Sequence, residues 1–225
     1  MKTSPAAQDY LKSIHLLATG AAPGEPAEAV STTALAARLG VSSASATNML
    51  KRLASMGLVD HVPYRGASLT EAGSKIALEV VRHHRLLETY LAEALGVPWD
   101  EVHDEAEILE HVLSEQLEDR ISALLGHPTS DPHGHPIPSK DGSVAETQVR
   151  RLWDVADGER SAVDRVPDER GEVLRYLGDV GIRPGSEVEV VGRGPVGGPL
   201  FVRVHPGPDG VHALSKDLAE AVWVA

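Results

Sequence analysis

The sequence predicts a mainly α protein with a small β domain at its C-terminal end. Three observations carry that reading. Two short helical segments joined by a glycine turn precede a hairpin pattern over 32–70. Two longer amphipathic stretches follow, at 71–95 and 101–125. After residue 148 the chain changes to short alternating runs broken by Gly and Pro. The expected division is a winged helix-turn-helix head at 1–73, a helical domain at 74–147 and a small half-open β-barrel at 148–225.

Composition narrows the function classes. The 225 residues are 42% hydrophobic and 24% charged, the balance of a folded chain. No run of 18 apolar residues occurs, so no membrane helix is expected and no membrane partner. The absence of cysteine removes disulfides, thiolate metal ligands and thiol nucleophiles, and makes a reducing cytoplasm the default location. The net charge of −12 hides an asymmetry. Residues 1–82 hold eight Lys/Arg against six Asp/Glu, whereas residues 83–225 hold thirteen against twenty-seven. A near-neutral head can approach DNA phosphate, and an acidic body can gather cations.

The elements follow in order. Ser4 and Pro5 start a helix over 5–19 whose apolar face is Tyr10, Leu11, Ile14, Leu17 and Ala18. Residues 20–31 are a Gly/Pro loop. Thr33 caps a short helix at 34–39, Gly40 ends it, and Ser42 or Ser43 caps a second helix that Gly57 stops. Two short strands around Tyr64-Arg65-Gly66 make the wing. The wide apolar stripes of the helices at 71–95 and 101–125 pack on each other and suit a second subunit. Residues 126–147, rich in Pro and Gly, read as a linker. Strands are expected near 149–153 and 161–166, a helix near 168–179, and four further strands after it.

One constellation carries chemistry. His103, Glu107, Glu110 and His111 are spaced i, i+4, i+7 and i+8, on one face of the helix expected at 101–125. His84 and Glu88 repeat the i, i+4 spacing on the preceding helix. Stacked carboxylates repel unless solvated or neutralised by a cation. Imidazole with carboxylate suits divalent first-row metals, and the carboxylate-rich set leans toward Mn²⁺. A wet, charged helix face explains the same spacing equally well. HExxH, GxSxG, a P-loop and a dinucleotide fingerprint are absent, and GRGPVGG at 192–198 reads as a turn between strands.

The chain resembles the diphtheria toxin repressor family of metal-dependent transcriptional repressors. The resemblance rests on six blocks in order: DYLKSIHLL, RLGVSSASATNMLKRLASMGLV, HRLLETYL, VHDEAEILEHVLSE, DPHGHPIP and GIRPGSEVEVV. It implies a winged-helix DNA-binding domain, a helical metal-binding and dimerisation domain, and an SH3-like C-terminal domain. It also implies two metals per subunit. The primary site would be Asp9, Glu107, Glu110 and His111, and the ancillary site His84, Glu88 and His103. Family members with a longer chain add two C-terminal ligands three residues apart. Glu169 and Glu172 have that spacing here, but Arg170 and Val173 occupy the matching register. Iron-responsive members carry Met and Cys at the positions of Asp9 and Glu107. Two carboxylates there resemble the manganese-responsive branch, and hard oxygen donors suit Mn²⁺. Lys12 departs from that branch, where a metal-binding Glu would stand.

The expected function is therefore a manganese-dependent repressor, not an enzyme, that binds a palindromic double-stranded operator as a homodimer. Ser42, Ala44, Ser45, Thr47 and Asn48 begin the recognition helix, and Lys51, Arg52 and Arg65 anchor phosphate. Ser42 can equally serve only as a helix cap, and Lys51 and Arg52 only as solvated surface. Three readings compete: an iron-dependent repressor of the same family, with Fe²⁺ in place of Mn²⁺; a carboxylate-bridged di-metal enzyme, disfavoured because Glu-x-x-His is absent; and a metal buffer that ignores DNA.

Overall fold

Short polar side chains set the helix starts of the N-terminal region. The computed structural model describes residues 3–19, 29–62, 65–145 and 147–225. The loop expected at 20–31 and Tyr64 of the wing lie wholly or partly outside these residues. Helix α1 spans Pro5–Thr19 and buries Ala7, Tyr10, Leu11 and Ile14. Helix α2 spans Thr32–Arg38, with Ser31 as its N-cap. The Ser31 side chain accepts from Ala34 N at 3.1 Å, so the helix starts two residues before the expected position. Helix α3 spans Ser43–Ser55 and is capped by Ser42, whose side chain accepts from Ser45 N.

Between α2 and α3 the chain turns at Gly40, φ 63°. Ala46, Leu50 and Leu53 of α3 are buried and join Leu11, Ile14 and Leu35 in one core. Their i, i+4, i+7 spacing leaves the other faces of α3 to solvent. Strands β1 (Val59–Val62) and β2 (Gly66–Leu69) pair antiparallel, Val59 opposite Leu69. Val30 bridges Ala67 beside them.

Contacts divide the chain into two compact units. One comprises Met1–His83, Glu110–Leu113 and Pro138–Val144; the other His84–Leu109, Ser114–Ile137 and Ala145–Ala225. Helix α4 spans Glu71–Leu95. The single helix expected at 101–125 is instead two: α5, Val102–Leu109, and α6, Glu115–Leu124. Ser114 explains the break. Its backbone is extended and its side chain accepts from Leu117 N, starting a new helix with Glu115 and Glu118 in the first turn. The row from His103 to His111 is thereby cut, because Glu110 and His111 lie past the end of α5.

The C-terminal segment forms a six-stranded antiparallel sheet in the order β3-β8-β4-β5-β6-β7. The strands are β3 Arg150–Arg151, β4 Arg160–Arg165, β5 Glu187–Arg193, β6 Leu200–His205, β7 His212–Leu214 and β8 Trp223–Val224. β3 is shorter than expected, since a 3-10 turn at Leu152–Asp154 takes over. Helix α7 spans Gly171–Asp179, starting later than the expected 168, and α8 spans Lys216–Ala221. Alternate residues Val188, Val190, Val202 and Val204 face a core closed by Leu174, Leu177 and Ile182.

The segment read as a linker is folded. Ser130 bridges Pro136, Ile137 is buried, and Val166 N donates to His133 O at 2.9 Å. Gly134 makes this approach possible: its φ is 92°, and a Cβ there would stand 2.0 Å from Asp164 O. Gly134→Ala is expected to destabilise the protein by about 2 kcal/mol or more. Urea unfolding followed by circular dichroism measures it.

Candidate metal centres and nucleic-acid interface

The first cluster lies in the N-terminal unit. Asp9 comes from α1, and Glu110 and His111 from the turn after α5. His111 Nε2 is 2.8 Å from Asp9 Oδ1 and 3.6 Å from Glu110 Oε1. The donor atoms of these three lie within 4.8 Å of one another. Gln8, which sequence reasoning passed over, accepts from His111 Nδ1 at 2.9 Å. That bond turns Nε2 toward the carboxylates, as partners of metal-binding histidines do. His83 also went unnoticed; its Nδ1 donates to the Glu110 carbonyl at 3.2 Å. Lys12 Nζ donates to Glu110 Oε2 at 2.7 Å, and Glu110 is buried.

The second region lies in the C-terminal unit and centres on Glu88, which is fully buried. Its Oε1 is 3.1 Å from His84 Nε2 and 3.3 Å from His103 Nδ1. Glu107 Oε1 stands 3.8 Å from both of those histidines. Glu107 is therefore grouped with His84 and His103 in this unit. The other oxygen of Glu88 faces His133 Nδ1 at 3.8 Å. Glu88, Asp131, His133 and Asp168 form a further group with donor atoms within 4.8 Å of each other.

Asp131, His133, His135 and Asp168 were invisible to a helix-based search because they come from a loop. The signal was present as DPHGH, two histidines and a carboxylate at alternate positions. Asp131 Oδ1 accepts from His133 N and His135 N, which fixes the loop. His133 Nε2 donates to Trp99 O at 2.7 Å, leaving Nδ1 aimed at Glu88. His135 Nδ1 is 3.5 Å from Asp168 Oδ2. Glu169 and Glu172 are exposed and belong to none of the donor groups found among the described residues. They line a cleft of about 750 Å³ together with His103, Asp104 and Asp168.

The chemistry of the donor set fits a divalent cation. Glu88 Oε2, Asp131 Oδ2, His133 Nδ1 and His135 Nδ1 are buried without a hydrogen-bond partner. Buried polar atoms of this kind are costly unless something coordinates them. Burial alone would push the Glu88 carboxyl up, but His84, His103 and His133 outweigh it and hold it well below the usual carboxylate range. Burial alone would lower His133; the nearby charges of Glu88 and Asp131, with the hydrogen bond to the Trp99 carbonyl, raise it to about 9. All the donors are oxygen and nitrogen, the harder end of the ligand scale.

The nucleic-acid face expected from the sequence lies along α3. Ser42, Ala44, Ser45, Asn48, Lys51 and Arg52 are exposed, as is Arg65 just before the second wing strand. Ser42 is occupied as a cap, and its Oγ lies 2.9 Å from Ser45 Oγ. Thr47 Oγ1 donates to Ser43 O at 2.8 Å, so it presents its methyl group rather than its hydroxyl. Hydroxyl, amide and basic groups along one exposed helix are what a groove-reading helix offers.

A winged helix-turn-helix head, helices with carboxylate–imidazole clusters and an SH3-like β domain define a metal-responsive DNA-binding protein. Comparison with known proteins agrees. The family described as "Iron dependent repressor, N-terminal DNA binding domain" matches residues 2–67. "Iron dependent repressor, metal binding and dimerisation domain" matches 70–139, and the FeoA domain 150–225. The iron-dependent repressor IdeR of Mycobacterium leprae is 34% identical over 203 residues, covering 84% of this chain and 86% of that protein. The diphtheria toxin repressor of Corynebacterium diphtheriae is 32% identical over 169 residues, covering 71% and 75%. A solved manganese-dependent transcriptional repressor in complex with manganese superposes with TM-score 0.88 at 43% identity, covering 97% of this chain and 99% of that one. ScaR with bound Zn²⁺ superposes with TM-score 0.81 at 27% identity, covering 97% and 98%. The chain belongs to the diphtheria toxin repressor family of metal-dependent, DNA-binding transcriptional repressors, and is not an enzyme.

The raised His133 has a consequence for the metal-free fold. Its pKa is near 6.5 when unfolded and about 9 when folded, so its charge stabilises the fold below about 6.5 and that contribution is lost as pH rises to about 9. Thermal melts of metal-free protein should show a falling midpoint across that window, with a shallower fall in His133→Asn.

Proposed function

We propose that this protein is a manganese-dependent repressor that binds a palindromic operator as a homodimer when loaded with two ions per subunit. The division into 1–73, 74–147 and 148–225 describes its working parts, and the cytoplasm is where it acts. The observation that carries the reading is the carboxylate and imidazole donor set of the clusters found among the described residues. In the first centre Asp9, Glu110 and His111 hold one ion. In the second, His84, Glu88 and His103 hold the other, on the Oε1 side of Glu88, while His133 faces its opposite oxygen. Glu107 supplies a further carboxylate beside His84 and His103. Glu169 and Glu172 act as outer charges of the cleft.

A bound divalent ion supplies positive charge and directional coordination at each centre. The residues do the rest. Asp9 belongs to α1, which packs on α2 and β2 of the head. Joining it to Glu110 and His111 ties the head's first helix to the turn after α5. Gln8 holds the His111 ring in the orientation that this needs. Metal binding shifts the protein toward the tied state by its differential affinity for that state. In the tied head, α3 enters the groove while Lys51, Arg52 and Arg65 neutralise phosphate.

The dimer reading has its own support. Ile108 is 69% exposed and Leu124 68%, with Leu117 half exposed. The dimerisation-domain match covers all three. Large apolar side chains left exposed on this domain suit burial against a second copy.

An iron-dependent reading is favoured by the IdeR relatives and by the tolerance of Fe²⁺ for oxygen and nitrogen ligands. Mobility-shift titration of operator DNA separates the two. Mn²⁺ is expected to promote binding at lower concentration than anaerobic Fe²⁺, and binding is lost in chelator. Full affinity in chelator contradicts the switch, and a preference for Fe²⁺ transfers the reading to the iron branch. Asp9→Ala should lower Mn²⁺-dependent operator affinity by about 100-fold, an energy of about 3 kcal/mol, while leaving the metal-free melting temperature within a few degrees. Leu124→Glu should shift the protein toward monomer in sedimentation velocity.

A further inference from the structure

Lys12 is an unusual neighbour for a cation site. It follows Asp9 by three residues on α1, so both side chains leave the helix on the same side. The residue is only 6% exposed, and its ammonium lies 2.7 Å from Glu110 Oε2. The Glu110 carboxylate is thus divided: Oε2 faces Lys12, and Oε1 faces His111 Nε2 at 3.6 Å. A lysine ammonium has three donors and no lone pair, so it cannot join a coordination shell. It is, however, a compact positive charge held at one of the ligands.

We propose that Lys12 is a resident competitor cation that sets the metal threshold of the Asp9/Glu110/His111 centre. This rests on the ion-binding reading of that centre given above. Two effects act in the same direction. Before an ion arrives, the ammonium neutralises buried Glu110, which would otherwise demand a counter-charge strongly. When an ion arrives, it shares the carboxylate with a like charge a few ångströms away, and the low-dielectric surroundings magnify that repulsion. Both effects weaken ion binding. The same pair also joins α1 to the turn holding Glu110 without metal, so the metal-free head keeps part of its tether. The centre would then respond only when the free ion concentration is high, a suitable setting for a weakly bound metal such as Mn²⁺.

The sign of one measurement separates this role from a structural one. If Lys12 only aligned Glu110, its removal would loosen the centre and weaken ion binding. As a competitor, its removal must tighten it. Mn²⁺ titration calorimetry on the full chain, with Asp9→Ala identifying which site is read, is the test. Lys12→Met and Lys12→Gln are expected to bind Mn²⁺ at least about tenfold more tightly at the Asp9-dependent site, and Lys12→Arg to stay near wild type. Thermal melts give a second readout. The metal-free Lys12→Gln protein should melt lower than wild type, and saturating Mn²⁺ should raise its melting temperature by more. Equal or weaker Mn²⁺ binding in both neutral variants, or an equal or smaller rise, overturns the proposal. Absence of any Asp9-dependent Mn²⁺ site in the wild type would instead overturn the function from which it starts.

Discussion

A carboxylate taken out of water must be met by positive charge. Glu88 is fully buried and Glu110 is 1% exposed, and the architecture around each follows from that demand. Glu88 is surrounded by His84, His103 and His133, contributed by α4, α5 and a loop. Glu110 is met by Lys12 and His111, from α1 and from its own turn. In both cases the counter-charge comes from a different part of the chain, so satisfying the carboxylate also fixes the fold locally. Imidazole is a partial answer, because its charge depends on a bound proton. A divalent ion is a fuller one. Metal sensing in this chain thus exploits a problem the fold already has.

The two centres meet the problem differently. Around Glu110 the ammonium of Lys12 lies 2.7 Å from Oε2, so an ion proposed there would enter beside a like charge. Around Glu88 the donors are titratable and several lack hydrogen-bond partners, so the ion enters in competition with protons.

Much of this was legible in the residues. The head was readable because its signals are local: Ser caps, Gly40 and Gly57, and the i, i+4, i+7 spacing of Ala46, Leu50 and Leu53. The His/Glu rows on α4 and α5 were visible for the same reason, although their spacing suits a solvated face as well as a cation site. Two features were not readable. The helix break at 110–114 depends on Ser114, one capping residue in an otherwise unbroken apolar stripe, and tertiary demand decided it. The Asp131/His133/His135 loop looked like a linker because Pro and Gly dominate it. Its order comes from distant partners, Trp99, Arg85 and the backbone after β4, which a local reading cannot see. Lys12 was recognised as a non-ligand, but its contact with Glu110 spans 98 positions in the chain and no spacing rule anticipates it.

The central claim is that buried carboxylates at two separate places are completed by divalent ions of the same kind. Anomalous diffraction from Mn²⁺-soaked crystals, recorded on either side of the manganese absorption edge, tests it directly. The account predicts one peak within coordination distance of Asp9, Glu110 and His111 and another at Glu88. A saturated crystal with no peak at Asp9, or with manganese only on exposed carboxylates such as Glu169 and Glu172, would contradict it.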